Sequence, residues 1–405
     1  MLKIAPKYLI PQFMVAHFSH HVCMGGLIPL LPLIRESFGL NYFQSGILVS
    51  CFSISNGLAQ LPMAMIADRF SRRLIIVLGL IGVSLTGLGV GCTRDFWQMI
   101  PFFIAMGLLG GTYHAPASSF ISEIVPANKR GRALGLHFTG GSASFLLTPA
   151  MALGIAYLFQ TWRASFLILA LPALLVGILL WLTTEETSGD VEASMETLES
   201  PDGGHNVKGD MGKQGQAEVS WSHIIRSIGI IASLSMSVQV FSSGARSYLP
   251  LYMVDHHSIS PHLAGMVISL IAGSGIVGGP LGGALSDRFG RKRVILIALS
   301  LSGPLFFAIT RSPSGIPLIL SLLLYGMVMS VRMPSMESLI ADVVPVGRRT
   351  TVLGFYYFVG METSGLTTPV FGRLIDVYGL DPVFTGVAIG ICVIAAIALL
   401  FRRHI

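Results

Sequence analysis

The sequence predicts an all-α membrane protein, with twelve transmembrane helices in two pseudo-symmetric six-helix bundles. Three observations carry that prediction. Of the 405 residues, 52% are hydrophobic and only 11% are charged, whereas a soluble chain carries roughly 25% charged residues. The apolar residues fall in runs of about 20, the length that crosses the hydrocarbon core of a bilayer. Landmarks of the first half also recur in register in the second, the mark of an internal repeat.

Spans are expected near residues 8–33, 42–66, 74–92, 97–122, 132–157, 164–183, 223–251, 262–285, 293–310, 315–341, 351–375 and 382–401. In lipid only helices and closed barrels satisfy their own backbone groups, and runs this long are helices. The 46 glycines suit close helix contacts there. The first run continues through Pro29 and Pro32 without a small-residue cleavage site, so it is read as a span rather than a signal peptide. Residues 184–221 are rich in Glu, Asp, Gly and Ser and nearly free of aromatics before Trp221, a composition too polar to order itself. The expected organisation is a bundle over 1–183, a flexible linker over 184–221 and a second bundle over 222–405.

The net charge of +6 does not mark a nucleic-acid binder, because the cations are scattered in short clusters between apolar runs. Lys3, Lys7, Arg69, Arg72, Arg73, Lys129, Arg130, Arg288, Arg291, Lys292, Arg293, Arg348, Arg349, Arg402 and Arg403 all fall on one side. That side and both termini are therefore expected to be cytoplasmic in a multi-pass cell-membrane protein. The far side carries chiefly Arg35, Arg94, Arg163 and Arg311. Cys23, Cys51, Cys92 and Cys392 lie in apolar runs at unrelated spacings and read as small buried hydrophobes.

The repeat is anchored on Gly283-Ala-Leu-Ser-Asp-Arg-Phe-Gly-Arg-Lys292 and its worn copy Ala64-Met-Ile-Ala-Asp-Arg-Phe-Ser-Arg-Arg73. His114-Ala-Pro116 matches Arg332-Met-Pro334, and Glu123-Ile-Val-Pro126 matches Asp342-Val-Val-Pro345. Gly140 and Pro149 keep the spacing of Gly360 and Pro369. The first pair resembles the loop between helices two and three of the major facilitator superfamily, repeated between helices eight and nine. The resemblance implies a latch that closes the cytoplasmic side. Charges recurring at matching places in the two halves make Asp68, Arg72, Glu123, Arg130, Asp287, Arg291, Asp342 and Arg348 the expected cytoplasmic gate. Ala64 and Ser71 stand where glycine is usual, so looser packing is expected in the first copy.

Ionisable groups inside a span are costly and face a cavity or a partner. His17, His20 and His21 share one helical face; Gln239, Ser242, Ser243 and Arg246 share another; His114 and Arg332 are repeat equivalents. The superfamily resemblance implies that these four helices surround a central cavity. With Tyr113 beside His114, the residues His17, His20, His21, Gln239, Arg246 and Arg332 are the expected substrate-binding set. Arg presents a rigid fork suited to carboxylate or phosphonate, which points to an anionic or strongly polar substrate. The alternative is structural: histidines that merely pack, and arginines neutralised by acids, with Glu337 and Glu362 in reach of Arg332. A metal site is not expected, for lack of a carboxylate or Cys at ligand spacing. Glu337 and Glu362, at bilayer depth, are candidates for coupling transport to protons, as is a histidine; a static salt bridge to Arg332 is the alternative.

Phe18-Ser-His20, Leu27-Ile-Pro-Leu-Leu-Pro32, Phe38-Gly-Leu40, Tyr113-His-Ala-Pro116 and Tyr248-Leu-Pro-Leu-Tyr252 are similar to the fosmidomycin-resistance branch of the superfamily. That implies export of a phosphonate or other small compound in exchange for protons. Two departures keep proton-coupled uptake of an organic anion open. Ala115-Pro116-Ala117 follows His114 where the branch has Pro-Glu, and Thr148 replaces the glycine that usually precedes Pro149. No phosphate-binding loop of the Gly-x-x-x-x-Gly-Lys type occurs, so ATP is not the expected driving force. No cofactor and no nucleic acid are expected; the partners are a small-molecule substrate, protons and lipid, around a monomer. A membrane enzyme lacks a visible nucleophile–base pair, and a non-transporting sensor on the same fold remains a distant reading.

Overall fold

The computed structural model describes residues 6–69, 71–124, 127–184, 221–343 and 346–400, and some side chains within those ranges fall outside the description. The twelve expected spans appear as helices, with three of them interrupted. The first is α1 (Pro6–Met24) followed by α2 (Leu27–Phe38); the second and third are α3 (Tyr42–Arg69) and α4 (Arg72–Cys92). The fourth is α5 (Phe96–Gly110) and α6 (His114–Ile124), followed by α7 (Ala127–Leu158) and α8 (Trp162–Thr183). The seventh, α9 (Trp221–Ser247), runs into a helical turn, Leu249–Leu251, and a π-helical turn, Tyr252–His256. The rest are α10 (Pro261–Phe289), α11 (Arg291–Arg311), α12 (Ile316–Val343), α13 (Val346–Tyr378) and α14 (Leu380–Leu400). No strand occurs among the described residues, and nine of the spans there are long and apolar enough to cross a membrane.

Local chemistry sets these boundaries. The first span reaches Phe38 rather than stopping near 33, because its end waits for Gly39, which takes the left-handed conformation (φ 60°) that favours glycine. Asp95 caps α5 by accepting from Gln98 N, and Thr161 caps α8 by accepting from Arg163 N. The two copies of the basic loop turn differently. Gly290 sits at φ 90° between α10 and α11 and cannot be replaced without strain. Ser71 keeps an ordinary φ of −77° and caps α4 by accepting from Leu74 N at 2.9 Å, so the worn copy has exchanged a glycine turn for a capped helix.

Outward faces are apolar: Leu58, Trp97, Leu158, Leu175, Ile316 and Leu400 are all exposed. A water-soluble chain does not spread so many large apolar side chains over its outer surface. Among the cysteines Cys23 is buried, but Cys92 ends α4 exposed, correcting the expectation that all four are buried; all four are free.

The expected linker lies outside the described residues apart from its ends, and the helices before residue 184 and after residue 221 meet tightly at the end remote from the basic loops. Asp376 near the end of α13 accepts from the backbone N–H groups of Tyr42 and Phe43, both at 2.9 Å. A carboxylate at a helix N-terminus satisfies orphan donors and matches the helix dipole, and here it comes from the other half of the chain. Tyr248 donates towards the carbonyls of Tyr42 (2.8 Å) and Thr368 (2.9 Å). Arg35 pairs with Asp255 at 2.9 Å and lies over the Tyr42 ring, whose hydroxyl donates to Asp255 at 2.7 Å. Gly46 lies so close to α13 that an added Cβ would stand 2.9 Å from Pro369 Cα and collide with the Tyr248 hydroxyl. Likewise Gly265 of α10 packs on Leu153 and Pro149 of α7, and Ser269 accepts from Ala150 N at 3.1 Å. Asp376→Ala and Gly46→Val should each shift the population about tenfold towards molecules open at this end, the equivalent of about 1.4 kcal/mol. Spin-label distances across α3 and α13 should lengthen accordingly; unchanged distances would count against this closure.

Candidate functional site

Two of the three helix interruptions shape the interior. Gly25 and Gly26 part α1 from α2, and the Thr148 side chain of α7 packs at that break: an added Cβ on Gly25 would stand 3.2 Å from the Thr148 methyl. The atypical Thr148 thus fills space that a glycine there leaves empty. Gly111, Thr112 and Tyr113 part α5 from α6 and make His114 the first residue of α6. This brings His114 against the α1 face, with ring centroids 5.2, 5.4 and 5.0 Å from those of His17, His20 and His21.

A fifth imidazole joins them. His137 of α7 is fully buried and stacks on His17 at 4.3 Å. Its Nδ1 donates to Phe13 O at 3.1 Å, while His17 Nδ1 donates to the His137 carbonyl at 3.0 Å. His20 Nε2 donates to Gly110 O at 3.1 Å, across to the helix break. Tyr113 is fully buried, stacks on His20 at 4.6 Å and donates towards Phe13 O at 3.3 Å. His17 and His20 are buried; His21 and His114 are half-exposed and form the accessible flank. His137 was not legible in the sequence: it stands alone on α7, beyond a run containing Lys129, Arg130 and Arg132 that reads as a cytoplasmic end.

The second half supplies a cationic centre. Arg332 of α12 is buried and donates to the Ser235 carbonyl (2.8 Å) and to Gln239 Oε1 (3.0 Å), both on α9. Its Nε is buried with no partner. Arg246 is exposed, with Arg332 and Tyr325 as its electrostatic neighbours. No carboxylate among the described residues meets either guanidinium. Ser242 and Ser243 are buried and spend their hydroxyls on the carbonyls of Val238 and Val240, with Ser243 also near Thr367. Ser242 also reaches Tyr325, the neighbour of Arg246.

At the basic end, Arg291 pairs with Asp342 and, at 3.6 Å, with Asp287. These three side an open groove of about 540 Å³ that also takes in Ser286, Lys292, Arg293 and Leu339. Arg72 is half-buried at the start of α4. The side chains of Asp68, Glu123, Arg130, Arg348, Glu337 and Glu362 lie outside the described residues.

A family model described as the Major Facilitator Superfamily matches residues 13–258 and 231–404. The chain is 25% identical over 287 residues to the "Multidrug resistance protein MdtG" of Yersinia enterocolitica, a match covering 68% of this chain and 64% of that relative. It is 25% identical over 411 residues to the "Probable sulfoacetate transporter SauU" of Cupriavidus necator, covering 98% and 94%. Its fold matches a bacterial homologue of the human lysosomal transporter Spinster, solved inward-facing and occupied, with TM-score 0.80, 18% identity and coverage of 98% and 97%.

His137→Phe keeps a ring stacked on His17 but removes the N–H that meets Phe13 O. It should lower stability by about 1 kcal/mol, and His137→Ala by more, since a void opens beside His17. Unfolding midpoints of the detergent-purified variants check both; midpoints equal to that of the parent would show that the His137 contacts contribute nothing.

Proposed function

This chain belongs to the Major Facilitator Superfamily and is a multi-pass membrane transporter, and from that premise we propose that it moves a small organic anion by alternating access. The observation that carries the reading is the pair Arg246 and Arg332, electrostatic neighbours met by no described carboxylate. Like charges repel, and the burial of Arg332 adds a desolvation cost. An anionic substrate relieves both penalties, and the unpartnered Arg332 Nε is a ready donor for it. Arg332 is pre-oriented by Ser235 and Gln239, so little side-chain freedom is lost on binding. Carboxylates, sulfonates and phosphonates all offer the paired oxygens that a guanidinium fork takes. That a relative is named for sulfoacetate supports this class.

The proposed division is a bundle before residue 184 and another after 221, rocking about the site as a monomer. The termini and basic loops lie on the cytoplasmic side of the cell membrane. Closure at the end remote from those loops supports a cytoplasm-open state, with Arg291, Asp287 and Asp342 as part of the gate that later closes. Protons drive the cycle, with Glu337 and Glu362 as the carriers, and the direction is export, in line with the multidrug relative. Thr148, packed at the α1–α2 break where antiporters have a glycine, favours a second reading in which the anion enters by symport.

Flux of radiolabelled sulfoacetate and of a phosphonate into proteoliposomes, with and without a pH gradient, tests the proposal. Arg246→Ala and Arg332→Ala should each cut anion flux about tenfold or more, the weight of one charge-assisted hydrogen bond. Full transport by both correctly inserted variants would remove the anion site, and indifference to the gradient would remove proton coupling.

A further inference from the structure

We infer that His17, His21 and His114 form a binding site for a first-row divalent transition metal ion of the zinc and cobalt type. Each side chain offers one ligand nitrogen, and the three ligand atoms lie within 4.8 Å of one another. Bonds from zinc to imidazole nitrogen are about 2.0–2.1 Å, so a modest rotation of the partly exposed His21 and His114 rings towards the buried His17 closes the trio on an ion. His17 and His21 stand one turn apart on α1, and the α5–α6 break delivers His114 from a different helix.

A second observation points the same way. A carbonyl oxygen can only accept, so the 3.0 Å contact from His17 Nδ1 to His137 O puts the proton on Nδ1. Nε2 is left with its lone pair. Metal-ligating histidines are oriented and made better donors by this kind of outer hydrogen bond. Beside the trio, fully buried His20 holds an Nδ1 with no partner, its ring centroid 5.3 Å from that of His21 and 5.4 Å from that of His114. A spare imidazole nitrogen is thus present next to the three.

The donor set selects the ion. Three neutral nitrogens without a described carboxylate suit zinc, cobalt, nickel or copper; calcium and magnesium need oxygen ligands. Three protein ligands also leave a fourth position open, as in sites that bind water or a ligand oxygen. His21 and His114 are half-exposed, so the ion is reachable from the interior. The site does not depend on Arg246 or Arg332.

Titration of Co²⁺ into full-length, detergent-purified protein at neutral pH, followed by visible absorption, tests this. One equivalent should give the d–d bands of a four-coordinate ion, and Zn²⁺ should displace it. His21→Ala and His114→Ala should each weaken binding at least about tenfold, since even an outer partner of a ligating histidine is worth that much. Arg246→Ala should leave the spectrum unchanged, whatever it does to transport. Absence of four-coordinate bands overturns the inference. So does binding that survives His21→Ala combined with His114→Ala, because the ion then sits elsewhere, as on the exposed His256. If His114→Ala does not elute as a folded protein, His21→Gln on the accessible flank decides by the same affinity criterion.

Discussion

Two guanidinium groups that feel each other's charge in a membrane-spanning bundle, Arg332 buried and Arg246 exposed, are the constraint on which the rest of this structure depends. Arg332 is buried, and the described uncharged neighbours of the pair are a carbonyl, an amide oxygen and the Tyr325 side chain. Such charge persists where the fold holds it against backbone carbonyls or other polar partners or where it faces a cavity. The α9–α12 contact through Arg332, Ser235 and Gln239 does the holding.

Helix breaks are the means by which the interior is furnished. In a bilayer, non-helical backbone is tolerated only where protein or a water-filled cavity surrounds it. Gly25–Gly26 and Gly111–Tyr113 are such places. At the buried second break the Gly110 carbonyl accepts from His20, and the Tyr113 hydroxyl ties the break to α1 through the Phe13 carbonyl. The histidine cluster is therefore part of the solution to the backbone problem as well as a candidate site.

The closed end is built from backbone recognition more than from surface charge pairing. Asp376 caps a helix of the other half, Tyr248 bridges two carbonyls, and Gly46 and Gly372 remove side chains that would hold α3 and α13 apart. Each contact needs close approach and disappears with a small separation. An interface of such contacts suits the two-state closure that the proposed alternating access requires.

From the sequence alone came the membrane class and the helices and their order, together with the expectation of a basic side and of a repeat that matches His114 with Arg332. Those features follow from hydrophobic run length, loop charge and repeat register, all of which are local or periodic along the chain. His17, His20 and His21 were legible as one face because helical geometry fixes neighbours at three and four residues. The tertiary structure decided what meets that face: His137 joining from α7, His114 turned in by a broken helix, Arg332 held by neutral partners. It also decided that Asp376 caps α3 and that Ser71 replaces a glycine turn by a cap. These depend on distances between segments far apart in the chain, and one-dimensional spacing holds no information about them.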